Sequence, residues 1–171
     1  PVEEDVQLVV RLPEGAGVSP WVMENLPDLE GKCRSEAAID IGRVDAVLSA
    51  CVDSAVRLWG NGRAERPIMA GNSIHADWWL ARRFLPNFLG RLHYRHLDVT
   101  ALKLEWQRLG GEEFDKENAK NVRKWFPGAN IPGVESRHDA YYDAQASIAE
   151  LAFYRAHLFS RNAAKGGRRR K

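Results

Sequence analysis

The chain has 171 residues, 44% hydrophobic and 28% charged, which fits one compact domain of the α/β or α+β class and excludes a disordered or collagen-like chain. Its net charge is +2, but without the basic segment 161–171 there are 19 basic residues against 23 acidic ones, which argues against nucleic-acid binding through a broad basic face. Because it lacks an apolar run of roughly 18 residues and has only two cysteines, Cys33 and Cys51, we expect an intracellular protein with reduced thiols and no membrane span.

The first half of the chain contains a predicted strand, a long helix and a second strand. Residues 6–12 are rich in Val and Leu and predict a strand. From Ile41 to Trp59, apolar residues recur at spacings of three and four until Gly60, which predicts an amphipathic helix docked on a sheet. Residues 67–70 predict a short strand that ends at Gly71, directly before a helical pattern.

The second half contains a further predicted strand and three helices. Residues 96–100 end in β-branched side chains and lead into a helix that carries Leu102 and Trp106. Residues 115–126 predict a short charged helix between Gly and Pro breakers. Residues 144–159 predict a second amphipathic helix. Its stripe comprises Ile148, Leu151, Ala152, Arg155 and Phe159, and the one basic member, Arg155, can extend its charged end to solvent. The alternation of strand and helix predicts a parallel pair in an α/β sheet, with its chemistry at the carboxyl ends of the strands.

The end of the chain is basic. Residues 162–171 follow the last apolar stripe, contain no apolar residue larger than alanine and include Gly166-Gly167. We predict that this segment is a disordered tail. Two interpretations stay open: its charges add RNA affinity that weakens steeply with salt, or they serve only solubility.

The first candidate site lies at a strand-to-helix junction, in the sequence Gly-Asn-Ser-Ile-His-Ala-Asp at 71–77. Gly71 permits a tight turn, and Asn72 and Ser73 supply short polar groups and a helix cap. Asp77 falls in the first helical turn, where the helix dipole favours a carboxylate that can face the end of the sheet. A capped helix start with a solvated aspartate is the alternative interpretation.

The second candidate site is His-Asp-Ala-Tyr-Tyr-Asp at 138–143, just before and inside the final helix. An imidazole five positions ahead of an aspartate can face the same pocket as that aspartate. The pair suits metal-assisted hydrolysis, in which Asp143 holds a divalent ion and His138 accepts a proton from the attacking water. A capped helix with a surface histidine is the alternative interpretation.

Taken together and in order, these motifs resemble the oligoribonuclease family, the small 3′ to 5′ exoribonucleases of the DEDDh group. The resemblance runs from Pro67 through Phe159. It includes GNSIHAD at 71–77, FLPNFLGRLHYRHLDVT at 84–100, HDAYYDAQASIAEL at 138–151 and FYRAHLF at 153–159. It implies an α/β fold of the ribonuclease-H type, a mixed sheet flanked by helices with the N-terminal strands missing, and one exonuclease domain over residues 1–161.

The resemblance also implies which residues are in the active site. In this family the matching aspartate of the GNS segment, the histidine and the aspartate five residues later are active-site residues, which correspond to Asp77, His138 and Asp143. We therefore expect Asp77 and Asp143 to hold Mg²⁺ or Mn²⁺, with His138 as the general base in a two-metal hydrolysis of short RNA.

Substrate and subunit contacts follow from the same resemblance. We expect Asn72 and Ser73 to bind substrate. The tyrosine of the HYR segment is contributed across a dimer interface in this family, so Tyr94 is expected to reach the partner's active site in a homodimer.

The sequence departs from the family pattern in its first third. No strand with an Asp-x-Glu pair is found here, and Glu3, Glu4 and Asp5 lack the apolar setting of such a strand. Where the family has a tryptophan and a histidine against the terminal bases, this sequence has Leu26 and Gly31. An exoribonuclease is therefore expected if an Asp-x-Glu strand lies upstream. The alternative is an inactive structural subunit of a ribonucleoprotein or other large assembly, and the expected compartment is the mitochondrion or the cytoplasm.

Overall fold

The computed structural model describes residues 6–59, 66–131 and 139–166. The chain divides into two compact units. The N-terminal unit comprises Val2–Met69 and His75–His96, and the C-terminal unit comprises Ala70–Ile74 and Leu97–Lys171. No helix in the described ranges is long and apolar enough to cross a membrane. The single exonuclease domain over 1–161 stays a prediction.

The described part of the N-terminal unit is built from helices. They are α1 (Pro20–Asn25), α2 (Pro27–Arg34), α3 (Ile41–Trp59), α4 (His75–Phe84) and α5 (Pro86–Arg91). Helices α1, α2 and α5 begin with proline, whose missing N–H has no partner in a first turn and whose ring fixes a helical φ. Helix α3 has the bounds predicted from its apolar spacing, and it packs against α5 and α4.

The C-terminal unit contains α6 (Val99–Arg108), α7 (Ala119–Trp125) and α8 (Ala140–Gly166). Helix α8 packs against α6 and α7, and the buried side chains between them include Val99, Trp106, Phe114, Val122 and Tyr154. Two polar residues set helix starts that the apolar pattern does not mark. Asn118 caps α7, which is shorter than the predicted helix 115–126. Asp139 caps α8, which begins at Ala140, four residues before the predicted start.

Two short strands, β1 (Met69–Gly71) and β2 (His96–Asp98), pair in parallel. Helices α4 and α5 lie between them in sequence, and α6 follows β2 directly. The predicted order of strand, helix, strand and helix is therefore confirmed, as is the mixture of helix and strand of an α/β chain. Parallel pairing brings the residues that follow β1 and β2 to the same edge, which positions the candidate site.

The strand predicted at 6–12 is reduced to one parallel bridge, between Val10 and Ile39. Arg11 N–H donates to the Ile39 carbonyl at 2.8 Å, and Ile39 N–H donates to the Val9 carbonyl at 2.9 Å. The Val-rich sequence favours extended backbone, but a strand also needs a partner of similar length. Ile39 lies just before α3, so the partner segment ends there and the prediction of a full strand is wrong.

The buried face of helix α8 overlaps the predicted stripe only in part, since Leu151 packs against the core. Within the predicted stripe, Ile148 is 48% exposed and Arg155 is also exposed. Among residues 140–158 of the helix, the buried ones are Ala146, Ala149, Gln145, Glu150 and Tyr154. The small side chains at 146 and 149 allow α6 and α7 to approach closely, and this close packing outweighs the burial of larger apolar groups elsewhere on the helix. The predicted stripe is therefore wrong for Ile148, whereas the exposure of Arg155 agrees with its prediction as the basic member that extends to solvent.

The backbone of residues 162–166 continues α8, although the sequence pattern places these residues in a disordered tail. Ala163 and Ala164 are strong helix formers, which explains why the helix extends past the last apolar residue. Residues 167–171 of the predicted tail lie outside the described residues.

Candidate active site

The turn that follows β1, Gly71–Ile74, is held in an uncommon conformation. Ser73 has a φ of 49°, a left-handed value that costs free energy for a residue with a side chain. Its N–H donates to Asp98 Oδ1 and to Thr100 Oγ1, both at 3.0 Å. Since these acceptors lie at the end of β2 and in the first turn of α6, the conformation of Ser73 depends on the neighbouring strand end.

Asn72 connects this turn to two helices. Its Nδ2 donates to Ser147 Oγ and to Glu150 Oε2 on α8, each at 2.9 Å. Its Oδ1 accepts a hydrogen bond from the Thr100 hydroxyl at 3.3 Å. The Asn72 side chain therefore uses both ends of its amide group to bind α6 and α8 together at the turn.

Glu150 is the buried charge of this region. Its side chain is 0% exposed, and Lys116 Nζ lies 2.8 Å from the same Oε2 that accepts from Asn72. One turn further along α8 is Tyr154, also 0% exposed. The pKa of Tyr154 is raised to about 12, chiefly by burial; the hydrogen bond from Phe114 N–H lowers it, and the nearby Glu150 carboxylate raises it.

Asp143 lies on the same side of α8 as these contacts. It is in the first turn of the helix, exposed, four residues before Ser147 and seven before Glu150. Residues at these spacings share one helix face. Burial and then the carboxylates of Asp115 and Asp143 raise the pKa of Tyr142. Asp143 is thus an exposed carboxylate on the face of α8 to which Asn72 binds.

Asp77 is located as predicted, in the first turn of α4, and its side chain is exposed. It belongs to the N-terminal unit, whereas Asn72, Ser73 and Asp143 belong to the C-terminal unit. His138 lies outside the described residues. Within the described ranges, no three His, Cys, Asp or Glu side chains are grouped as ligands of one metal ion.

Tyr94 is 75% exposed, and its ring contacts the side chains of two neighbouring residues. The His93 ring stacks on it at 4.5 Å between centroids, and the Arg95 guanidinium lies 5.4 Å from its centroid. In α4, Trp78 packs against His96, while Trp79 is 72% exposed. The N-terminal unit thus exposes large aromatic side chains both in α4 and just before β2.

Sequence reasoning missed the residues that hold the turn: Asp98, Thr100, Lys116, Ser147 and Glu150. The signal for Glu150 was available, because an acidic residue four positions after Ala146 and four before Tyr154 lies on a face of small and aromatic residues. A carboxylate on such a face is buried only when it is paired. The other four residues have no comparable signal, since capping and loop polar groups are common.

No family model matches the chain. The chain is 30% identical over 162 residues to oligoribonuclease from Streptomyces coelicolor, a match that covers 91% of this chain and 70% of that protein. It is 39% identical over 97 residues to oligoribonuclease from Coxiella burnetii, covering 54% of this chain and 42% of that protein. It is 33% identical over 95 residues to the mitochondrial oligoribonuclease of Bos taurus, covering 54% of this chain and 33% of that protein. The chain thus matches less than half the length of the Coxiella and bovine relatives.

Proposed function

The chain belongs to the oligoribonuclease family, and on this premise we propose that the protein is a 3′ to 5′ exoribonuclease that degrades short RNA by two-metal hydrolysis. One observation carries the proposal: the Asn72 side chain joins the turn after β1 to the face of α8 that also presents Asp143. The turn belongs to the candidate motif at 71–77, and the first turn of that helix belongs to the candidate motif at 138–143. We also propose the ribonuclease-H-like arrangement of the sheet and a mitochondrial or cytoplasmic location.

The donor groups of Asp77 and Asp143 fit a hard divalent ion. Both carboxylates are exposed, and neither forms an ion pair with a described residue. Mg²⁺ is commonly bound through one or two carboxylates, with waters and phosphate oxygens as the other ligands. A second ion needs further carboxylates, which an upstream Asp-x-Glu strand would supply. Bound Mg²⁺ or Mn²⁺ would lower the pKa of the attacking water and neutralise charge on the phosphate.

The residues of this chain have separate roles in the proposed reaction. Asn72 and Ser73 bind the RNA end, and His138 takes up the proton of the attacking water on an imidazole nitrogen. The water oxygen then bonds to phosphorus, and the bond from phosphorus to the 3′ oxygen of the preceding nucleotide breaks. One mononucleotide leaves, and the RNA is one residue shorter. Tyr94 reaches the site of the second subunit in a homodimer.

The test compares two aspartates in equivalent positions. Asp143 and Asp28 are both exposed and both lie in the first turn of a helix. In the protein expressed from its complete reading frame, Asp143→Ala should lower the rate of Mg²⁺-dependent release of mononucleotides, followed as stepwise shortening of a 5′-labelled short RNA, by at least about a hundredfold. Asp28→Ala should leave release unchanged. If the Asp143→Ala variant released mononucleotides at the parent rate, the assignment of Asp143 to the active site would be excluded.

A second candidate function is an inactive structural subunit of a ribonucleoprotein or other large assembly. The exposed side chains of α4 favour it, because Trp79 is 72% and Leu80 is 60% exposed on adjacent positions of the helix. Large apolar side chains of this kind are typical of protein contacts. Two results together would support this function instead. The parent protein would lack nuclease activity and co-purify in a complex, and the Trp79→Ser variant would no longer co-purify in that complex.

A further inference from the structure

We infer that Glu150 is a positioning residue for the substrate-binding turn, acting through the Asn72 side chain; this inference rests on the proposed function. Glu150 has 0% exposure, and its Oε2 accepts from Asn72 Nδ2 at 2.9 Å. The two residues are 78 positions apart in the sequence. No local sequence motif joins residues so far apart, so the contact between Asn72 and Glu150 forms only when the chain folds.

The carboxylate decides the orientation of the Asn72 amide. A carboxylate only accepts hydrogen bonds, so it selects the NH₂ end of the amide and leaves Asn72 Oδ1 directed towards Thr100. The Thr100 hydroxyl then donates to Oδ1, and its oxygen remains available to accept from Ser73 N–H at 3.0 Å. A directed series of hydrogen bonds thus runs from Glu150 to the residue with the left-handed backbone.

Lys116 helps to hold the Glu150 carboxylate in place. Its Nζ lies 2.8 Å from Glu150 Oε2, and its side chain is 33% exposed. A buried ion pair contributes little to stability, because removing both charges from water offsets most of their attraction. A buried carboxylate therefore serves better to select one arrangement of its neighbours than to stabilise the fold. Here that arrangement is the Asn72–Ser73 turn.

The inference predicts a change in substrate affinity. Without an acceptor at 150, the Asn72 amide can rotate, and Ser73 loses part of the hydrogen bonding that holds φ at 49°. Because the turn binds RNA in the proposed function, Glu150→Leu should raise KM for a short RNA about tenfold or more and change kcat less than about threefold. Glu150→Gln retains a carbonyl oxygen that can accept from Asn72, so its KM should stay within about threefold of the parent value.

A double-mutant cycle with Asn72→Ala separates positioning from a general structural role. If Glu150 acts through Asn72, Glu150→Leu should have less than about a twofold further effect on KM in the Asn72→Ala background. An equal effect of Glu150→Leu in both backgrounds would contradict the inference. Glu113→Gln is the matched control, since it breaks the ion pair with Lys103 in the same unit without touching the turn.

A second measurement does not depend on nuclease activity. Hydrogen exchange of the Ser73 amide, followed by NMR, should be at least about tenfold faster in Glu150→Leu than in the parent or in Glu150→Gln. If Glu150→Leu does not fold, Thr100→Val removes the hydroxyl that links Asn72 to Ser73, with nearly the same shape, and should give the same increase. Unchanged Ser73 exchange in both variants would overturn the inference. If the parent protein has no nuclease activity but Ser73 exchange differs between parent and variants as expected, only the proposed function is overturned.

Discussion

Asp45 is an acidic residue within the apolar helix α3, and it is 3% exposed. Its carboxylate accepts from the N–H groups of Asn87 and Phe88 and from the Asn87 side chain, at 2.7–3.1 Å. Helix α5 has no side-chain cap of its own, so Asp45 satisfies its first N–H groups from another helix. Burial raises the pKa of Asp45, but these hydrogen bonds and Arg91 bring it below the ordinary value of 3.8.

Replacing Asp45 should therefore destabilise the protein in a pH-dependent way. We expect Asp45→Asn to lower the free energy of unfolding by about 2 kcal/mol at pH 6. Since the pKa of Asp45 is lower when folded, its contribution is present above 3.8 and is lost as the pH falls through and below that value. Urea unfolding at pH 6 and pH 3 should show a smaller difference between parent and variant at pH 3. An equal difference at both values would contradict the assigned cause.

Helix α8 is the element that joins the core to the candidate site. One face packs small residues against α6 and α7, and the same face carries Glu150. At its N-terminus, Asp139 Oδ1 accepts from the N–H groups of Tyr141 and Tyr142, which places Asp143 in the first turn. The packing of Ala146 and Ala149 thus determines which direction Asp143 faces.

Two substitutions on adjacent positions of α8 test this packing. Ala149 is 0% exposed, whereas Ile148 is 48% exposed. Ala149→Leu should lower the free energy of unfolding by about 1–3 kcal/mol, because it overpacks a close helix contact. Ile148→Ala should change it by less than about 1 kcal/mol. Urea unfolding followed by circular dichroism measures both, and a larger cost for Ile148→Ala would favour the apolar stripe predicted from the sequence.

At the scale of the whole molecule, the proposed homodimer places Tyr94 of one subunit at the site of the other. Tyr94 and the α4 residue Trp79 are the most exposed large aromatic side chains among the described residues. An exposed aromatic ring with an arginine beside it, as Tyr94 has in Arg95, suits a subunit contact. A dimer of this kind makes each site depend on two chains.

Mixing two inactive variants tests that dependence. In a heterodimer of Tyr94→Ala with Asp143→Ala, the subunit that keeps Asp143 receives Tyr94 from its neighbour, so one complete site forms. We expect release of mononucleotides from short RNA to reappear on mixing and subunit exchange, at up to about a quarter of the parent rate if subunits mix at random. Each variant alone should stay inactive. Absence of recovery, with dimers present by light scattering, would show that Tyr94 acts on its own chain or not at all.

Local features of this protein could be predicted from the sequence. The apolar spacing over Ile41–Trp59 predicted α3 with its observed bounds, and the Gly71 junction predicted a strand end followed by a helix with Asp77 in its first turn. Helix periodicity and capping involve residues within a few positions of each other, so the sequence contains them directly. The resemblance of separated motifs likewise identified the family.

Only the tertiary structure decided how distant polar groups pair and which helix faces are buried. The single bridge at Val10 depended on how far the partner segment extends, and the buried face of α8 depended on the close approach of α6 and α7. The hydrogen bond between Asn72 and Glu150 joins residues 78 positions apart, and a buried carboxylate is tolerated only where such partners meet it. These outcomes depend on what a side chain contacts after folding, which no local pattern of residues contains.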